Sequence, residues 1–224
     1  MLILQAPATT EIPEIAEESL SVFDLALKGG PIMIPILIFS ILAVYIIIER
    51  WVTIKKSSKI DNNFMNNIRD HIHSGNIDAG KSLCRNTNNP IARMIEKGIA
   101  RIGKPLNDIE KSIENVGNIE IVKLEKGLSM LATISGVAPM VGFLGTVVGM
   151  LKAFFQMSRA GEQIEISMLS GGMYEAMVTT VAGLFVGIIA LIGYNVLATM
   201  VQKVVYNMEA SSIEFMDLLQ EPSK

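Results

Sequence analysis

The chain of 224 residues has few of the residues that build disulfides, metal sites or catalytic centres. Its single cysteine, Cys84, excludes an internal disulfide, fits a reduced compartment and is interpreted as a small packing residue. The two histidines, His71 and His73, lie on different helix faces at a spacing of two, and no zinc-ligand spacing occurs, so no metal site is expected. A net charge of −3 argues against a nucleic-acid-binding face. No nucleophile with a base, paired acids or phosphate loop is recognisable, so the sequence predicts neither an enzyme nor a cofactor.

Charge is also absent from three long stretches. Residues 29–48, 127–151 and 176–202 contain no Asp, Glu, Lys, Arg or His, which gives uncharged runs of 20, 25 and 27 residues. Roughly 20 apolar residues cross a bilayer core of about 30 Å. The sequence therefore predicts an all-α membrane protein with spanning helices at 29–48, 128–151 and 176–202. The remaining segments are 1–28, 49–127, 152–175 and 203–224.

Small, weakly polar residues recur every three or four positions in the last two spans. This spacing places them on one face of each helix, and small residues let helix backbones approach closely in lipid. Gly142, Gly149, Gly183 and Gly187 are therefore predicted to pack helices. The two faces comprise Ser135, Ala138, Gly142, Thr146 and Gly149, and then Ala176, Thr180, Gly183, Gly187, Ala190 and Tyr194. The two threonines place hydroxyls inside hydrocarbon, where a bond to the carbonyl one turn back is the ordinary alternative role.

The region between the first two spans reads as several short charged helices. Gly75-Asn76 predicts a break, Asn89-Pro90 predicts a helix start, and Pro105 starts another helix. From Leu106 the helix is expected to run without a break to Phe155, about 75 Å at 1.5 Å per residue. Residues 152–174 are expected to form a short outer loop. The tail from Lys203 is predicted to extend the third span as an amphipathic helix packed on residues 106–126.

The first 28 residues are interpreted as a short extension outside the membrane. Their opening lacks a basic stretch and a long apolar core, and Pro7 and Pro13 interrupt it, so no cleaved signal peptide is predicted. Residues 15–27 favour a short amphipathic helix at the membrane surface, with a disordered acidic tail as the alternative.

The positions of lysine and arginine predict the topology. Positive residues favour the cytoplasmic ends of spans, so the N-terminus is expected outside and the C-terminus inside. Arg50, Lys55 and Lys56 are expected at the lipid headgroups. The seven inner residues are Arg50, Lys55, Lys56, Lys59, Lys123, Lys126 and Lys203, against Lys28, Lys152 and Arg159 on the outer side.

Two sequence blocks carry a family resemblance. They are APMVGFLGTVVGM at 138–150 and EAMVTTVAGL at 175–184, followed by Tyr194-Asn195 and accompanied by GGP before the first span and ERW after it. This pattern resembles the MotA/TolQ/ExbB proton channel family. Three spans favour its ExbB/TolQ branch, since MotA-type subunits typically have four.

The resemblance implies a bacterial inner-membrane motor. The chain would be the stator subunit of a ring-like homo-oligomer, expected to be a pentamer, around the spanning helices of an ExbD- or TolR-like partner that carries a membrane Asp. Proton flow would drive a TonB- or TolA-like protein in outer-membrane transport. The family's pore threonines match Thr146 and Thr180, and its outer acidic residue matches Glu175 at the pore entrance.

The residues are compatible with this function, because the spans offer hydroxyls and one amide, Asn195, but no group that titrates near neutral pH. The protonatable group would therefore come from the partner. Two alternatives remain: a passive membrane scaffold, and the same motor with another output, such as TolQ-type envelope maintenance or motility.

Overall fold

The computed structural model describes residues 29–59, 61, 63–160 and 166–221. The expectations for residues 1–28 therefore lie outside the described residues. Seven helices make up the described part, which confirms the all-α prediction. They are α1 (Met33–Ser57), α2 (Phe64–His73), α3 (Ile77–Asn86), α4 (Pro90–Ile99), α5 (Leu106–Glu125), α6 (Leu128–Ala160) and α7 (Ile166–Gln220).

Three of these helices are long and apolar enough to cross a membrane. They are α1, α6 together with the helix before it, and α7, as the three uncharged runs predicted. Helices α6 and α7 form an antiparallel hairpin with the most extensive contact in the molecule, and α1 packs along both.

The remaining helices form a second unit, here called the polar bundle: α2 to α5 with the part of α7 that follows Gln202. Large apolar side chains fill its centre, among them Ile68, Ile95, Ile113 and Phe215, all fully buried. Phe215 lies against the backbone of Gly98, where an added Cβ would come within 2.6 Å of the phenyl ring. The tail therefore continues α7 without a break and packs on α5, as its apolar spacing predicted, and it also packs on α4.

The short helices begin where the sequence signals placed them. Asn89 caps α4, since its Oδ1 accepts from the backbone N–H of Ile91 at 2.9 Å, and Pro90 takes the first helical position. The amide nitrogen of Asn89 also donates to the carbonyls of Ser57 (2.8 Å) and Lys59 (3.0 Å). One fully buried side chain thus joins the end of α1 to the start of α4.

The prediction of an unbroken helix from Leu106 to Phe155 is wrong. Helix α5 ends at Glu125, Lys126 leaves the helical region, and Gly127 has φ +85°, after which α6 begins at Leu128. Glycine reaches this left-handed conformation without the penalty of a Cβ, so it is the common residue just after a helix. Gly127 also packs against Ile46 of α1. In the sequence, the Lys126-Gly127 pair before an apolar run is the feature that indicates this helix end.

The expectation of a loop over residues 152–174 is also wrong in its secondary structure. Helix α6 continues to Ala160 and α7 already begins at Ile166. Both helices of the hairpin therefore extend past the residues that end the uncharged runs, Lys152 and Glu175.

Candidate functional site

The two small-residue faces meet each other within one chain. A Cβ added to Gly183 would lie 2.6 Å from the Ala138 carbonyl oxygen and 2.8 Å from the Gly142 Cα. A Cβ added to Gly142 would lie 2.8 Å from the Thr179 carbonyl oxygen. The backbones of α6 and α7 therefore touch at this crossing, because neither glycine has a side chain.

The same contact continues toward both ends of the hairpin. Gly187 lies against Ser135 and Pro139, and a Cβ on it would be 2.5 Å from the proline ring. Gly149 lies against Ala176, whose Cβ would be 3.0 Å away from a Cβ on the glycine. All four predicted packing glycines thus lie in the contact between α6 and α7.

Two further glycines belong to this contact and were missed. A Cβ on Gly145 would collide with the Thr179 side chain, and one on Gly172 would lie 2.6 Å from the Ala153 Cβ. The spacing of three and four between Gly142, Gly145 and Gly149 could have identified Gly145. Gly172 precedes Glu175 and the third uncharged run, so the charge pattern does not place it in a span.

Thr146 and Thr180 lie directly opposite each other in this contact. Their hydroxyls are hydrogen-bonded to each other. Thr180 also donates to the Gly142 carbonyl at 3.1 Å, and Thr146 donates to the Ala176 carbonyl at 3.3 Å. Each hydroxyl therefore reaches the carbonyl that lies one turn before the other threonine, on the neighbouring helix.

The two hydroxyls can exchange the roles of hydrogen-bond donor and acceptor. They have two protons for three contacts, which are the contact between the hydroxyls and one carbonyl contact each. One contact therefore has no proton at any moment, and the protons can be redistributed among the three. Thr179 differs, because its hydroxyl is buried and donates to the Ala176 carbonyl of its own helix at 2.8 Å. The bonds that the structure gives Thr146 and Thr180 cross between helices, whereas Thr179 has the local bond typical of threonine in membrane helices.

Glu175 lies five residues before Thr180, about 7.5 Å along α7. Its carboxylate accepts from Lys152 of α6 at 3.2 Å. Asn195, the one amide in the spans, is exposed and lies 15 residues beyond Thr180, about 22 Å along the same helix. The structure thus brings Glu175 toward the threonine pair and leaves Asn195 remote from it.

The predicted headgroup residues separate into two groups. Arg50 turns inward, pairs with Glu49 and donates to the Lys123 carbonyl at 3.2 Å, which ties the end of α1 to the end of α5. Lys55 and Lys56 instead line an open surface groove with Trp51. The guanidinium of Arg50 is thus used in a contact within the protein, and its expected place at the headgroups stays a prediction.

The polar bundle contains a buried ion cluster that the sequence did not reveal. Glu120 is 3% exposed and accepts from Arg93 at 2.6 Å and from Lys123 at 2.7 Å. Burial raises the pKa of Glu120, but the two hydrogen-bonded cations outweigh burial, and the pKa lies below its usual value. Glu120 and Lys123 are three residues apart on α5, whereas Arg93 comes from α4, so only the tertiary fold adds the second cation.

Cys84 and the histidines lie apart from the spans. Cys84 is buried, and this burial, with the nearby Glu96, raises the pKa of its thiol to about 12. His73 lies 3.4 Å from Glu221 at the end of α7. Within the described residues no group of three potential metal ligands occurs.

Comparison with known proteins adds to this geometry. The profile of the MotA/TolQ/ExbB proton channel family matches residues 86–210, which is more than half of the chain. The chain belongs to the MotA/TolQ/ExbB family. The region matched by the MotA/TolQ/ExbB profile contains the whole α6–α7 contact with Thr146, Glu175 and Thr180, whereas α1 lies outside it.

Individual MotA/TolQ/ExbB relatives extend this match. A putative biopolymer transport protein ExbB-like 3 from Synechocystis is 31% identical over 171 residues, 76% of this chain and 81% of that protein. The TolQ protein of the Tol-Pal system from Haemophilus influenzae is 39% identical over 87 residues, 39% of this chain and 38% of TolQ. The biopolymer transport protein ExbB from Xanthomonas campestris is 34% identical over 87 residues, 39% of this chain and 34% of ExbB.

Proposed function

We propose that this chain is the stator subunit of a proton-driven motor in the bacterial inner membrane. Several copies, five in the simplest arrangement, surround the spanning helices of an ExbD- or TolR-like partner. Proton flow through the complex then drives a TonB- or TolA-like protein that works in outer-membrane transport. Membership of a proton channel family and similarity to ExbB-type proteins support this proposal.

The hydroxyl pair of Thr146 and Thr180 carries the proposal. The two hydroxyls bond across the α6–α7 contact and switch donors, so they can order water or bond a carboxyl without titrating themselves. Hydroxyls that bond across a helix contact are tolerated in hydrocarbon, and polar groups at that depth often have a function. The titrating group is the membrane Asp of the partner, which protonates and deprotonates beside the pair.

The test removes the hydroxyls and keeps their shape. Thr146→Val and Thr180→Val should leave assembly intact and abolish proton-dependent activity in cells that also express the partner. Loss of a hydrogen bond to a buried carboxyl costs on the order of 1–3 kcal/mol, which changes its proton affinity about 10- to 100-fold.

Two other threonines provide matched controls. Thr133 of α6 and Thr199 of α7 are exposed and donate to carbonyls of their own helices at 3.0 Å and 2.9 Å. Their valine variants should stay active. A fully active Thr146→Val, Thr180→Val double variant would contradict the role of the hydroxyls in the proton path and leave helix packing as their function.

The orientation of the motor has its own test. We place the N-terminus outside and the polar bundle in the cytoplasm, because basic residues concentrate at the bundle ends of the spans. A thiol reagent that does not cross membranes should label Glu162→Cys in whole cells and spare Lys97→Cys. The opposite labelling pattern would invert the topology.

Lys55 and Lys56 are proposed to contact lipid headgroups. Both are exposed at the end of α1 beside Trp51, a residue that favours the membrane surface.

A TolQ-type output in envelope maintenance is the second candidate, and the similarity to Haemophilus TolQ favours it. Expression of the chain in strains that lack either ExbB or TolQ separates the two outputs, since only the matching function should be restored.

A further inference from the structure

The outer ends of the three long helices meet at one carboxylate. Lys152 of α6 donates to Glu175 Oε1 of α7 at 3.2 Å. On the side of α1, Gly30 approaches the same oxygen so closely that an added Cβ would collide with it. Glu175 therefore contacts both neighbouring elements, while its side chain remains 29% exposed.

The backbone before α1 is shaped to make this approach. Gly30 has φ +67°, a left-handed conformation that favours glycine, and its missing side chain leaves the space that the carboxylate fills. The preceding Gly29 lies against Val178, one turn further along α7, where an added Cβ would be 3.4 Å from Val178 Cγ1. The start of α1 is thus docked on α7 beside Glu175.

Lys152 is the cation that holds this carboxylate among the described residues. Arg159, further along α6, is instead placed 5.2 Å over the Phe155 ring. Lys152 lies six residues after Thr146 and Glu175 lies five before Thr180, so the ion pair is about 7.5–9 Å along the helices from the threonine pair. Its position is next to the proposed path and outside the hydroxyl contact itself.

We propose that Lys152 is a positioning residue. It holds the Glu175 carboxylate against Gly30, fixes the outer end of α1 on the α6–α7 hairpin, and so sets the geometry of the outer entrance. This inference rests on the proposed function and adds to it a residue outside the threonine pair. A carboxylate without its cation is free to leave the Gly30 backbone, and the docking of α1 then loosens.

The first measurement follows the docking directly and needs no activity. In a Cys84→Ala, Met33→Ala background, Gly29→Cys and Val178→Cys introduce two neighbouring thiols, since a Cβ at residue 29 would lie 3.4 Å from Val178 Cγ1. Met33→Ala removes the side chain that would otherwise collide with that Cβ. After addition of a copper–phenanthroline oxidant, the disulfide should form rapidly with Lys152 present and at least 5-fold more slowly with Lys152→Gln. Arg159→Gln, which removes a positive charge from the same side, should leave the rate unchanged. Equal rates for Lys152 and Lys152→Gln would overturn the proposal.

The second measurement separates charge from packing. In cells with the partner, Lys152→Gln should lower proton-dependent activity about 10-fold at normal assembly, and Lys152→Arg should keep at least half of it. The exchange Lys152→Glu with Glu175→Lys should be more active than either single reversal, because it restores the ion pair. An exchange no better than the single variants, or a fully active Lys152→Gln, would overturn the proposal.

These outcomes remain distinct from a failure of the proposed function. If the threonine variants are inactive and Lys152→Gln is fully active, the positioning role of Lys152 is wrong and the proposed proton path stands. If the threonine double variant is active, the proposed role of the threonines in the proton path is wrong. The disulfide rates would still decide whether Lys152 holds α1 on the α6–α7 hairpin.

Discussion

The membrane hairpin and the polar bundle are held together in opposite ways. In the hairpin the smallest residues face inward, such as Ala138 and Ala190, while Phe143 and Phe185 are 64% and 66% exposed. In the polar bundle the large residues face inward, with Phe215 and Ile113 fully buried. Water drives apolar side chains together in the bundle, whereas lipid gives no such drive and leaves close backbone packing as the main attraction.

The buried polar groups also differ between the hairpin and the polar bundle. The hairpin contact contains hydroxyls that bond carbonyls, and its ion pair, Lys152 with Glu175, lies toward the end away from the polar bundle. The polar bundle buries a full carboxylate, Glu120, between two cations. A charge in the middle of the hairpin would face hydrocarbon, so uncharged hydroxyls are the polar groups that such a contact tolerates.

The largest expected effect is at the backbone contact of the hairpin. Gly183→Leu and Gly142→Leu each insert a branched side chain where even a Cβ meets backbone atoms within 2.8 Å, so α6 and α7 should separate and assembled protein should be lost. Size-exclusion chromatography with light scattering measures the assembled fraction. Gly136 of α6 has no atom near its Cβ position, and Gly136→Leu should assemble normally. Normal assembly of both Gly183→Leu and Gly142→Leu would contradict the conclusion that close backbone packing holds the hairpin together.

The next effect is in the polar bundle. Phe215→Ala removes a fully buried ring and should destabilise the bundle by about 3–5 kcal/mol, while the hairpin stays intact. Limited proteolysis should then cut α7 beyond Lys203 much faster. Ile213, 63% exposed on the same helix, gives the control Ile213→Ala, which should be cut at the normal rate. Loss of the hairpin in Phe215→Ala would mean that the two regions fold as one unit.

The smallest effect is a dependence on pH that belongs to the bundle alone. The pKa of Glu120 is lower in the folded protein, so its contribution to stability is complete above the ordinary value of 4.5 and is lost as the pH falls through the folded pKa. Bundle stability should therefore decrease on acidification, and Glu120→Gln should flatten this decrease. Glu114→Gln, on the exposed side of α5, should retain it. Identical acid profiles for the native chain and Glu120→Gln would contradict the assignment.

The sequence by itself determined that there are three long apolar helices, and it determined where the short helices α3 and α4 and helix α5 begin. Uncharged runs of sufficient length become membrane helices because an exposed backbone in lipid must satisfy its own hydrogen bonds. Asn89-Pro90 begins a helix through local capping, and the spacing of Gly142 and Gly183 marks the contact face. These features depend on residues that are close together in the chain, so they can be predicted from the sequence.

The tertiary structure decided which partners those residues meet. Spacing identified two faces with a threonine each, but only the packed hairpin pairs Thr146 with Thr180 and gives each hydroxyl a carbonyl of the opposite helix. Arg50 reads as a headgroup residue from its position after a span, yet it donates to the Lys123 carbonyl, 73 residues away. Likewise, Lys152 and Glu175 appear as separate ends of two spans until the antiparallel packing of α6 and α7 brings their charges within 3.2 Å. A long side chain can bind whichever partner the fold brings near it. Its position in the sequence does not give its distance from residues in other segments.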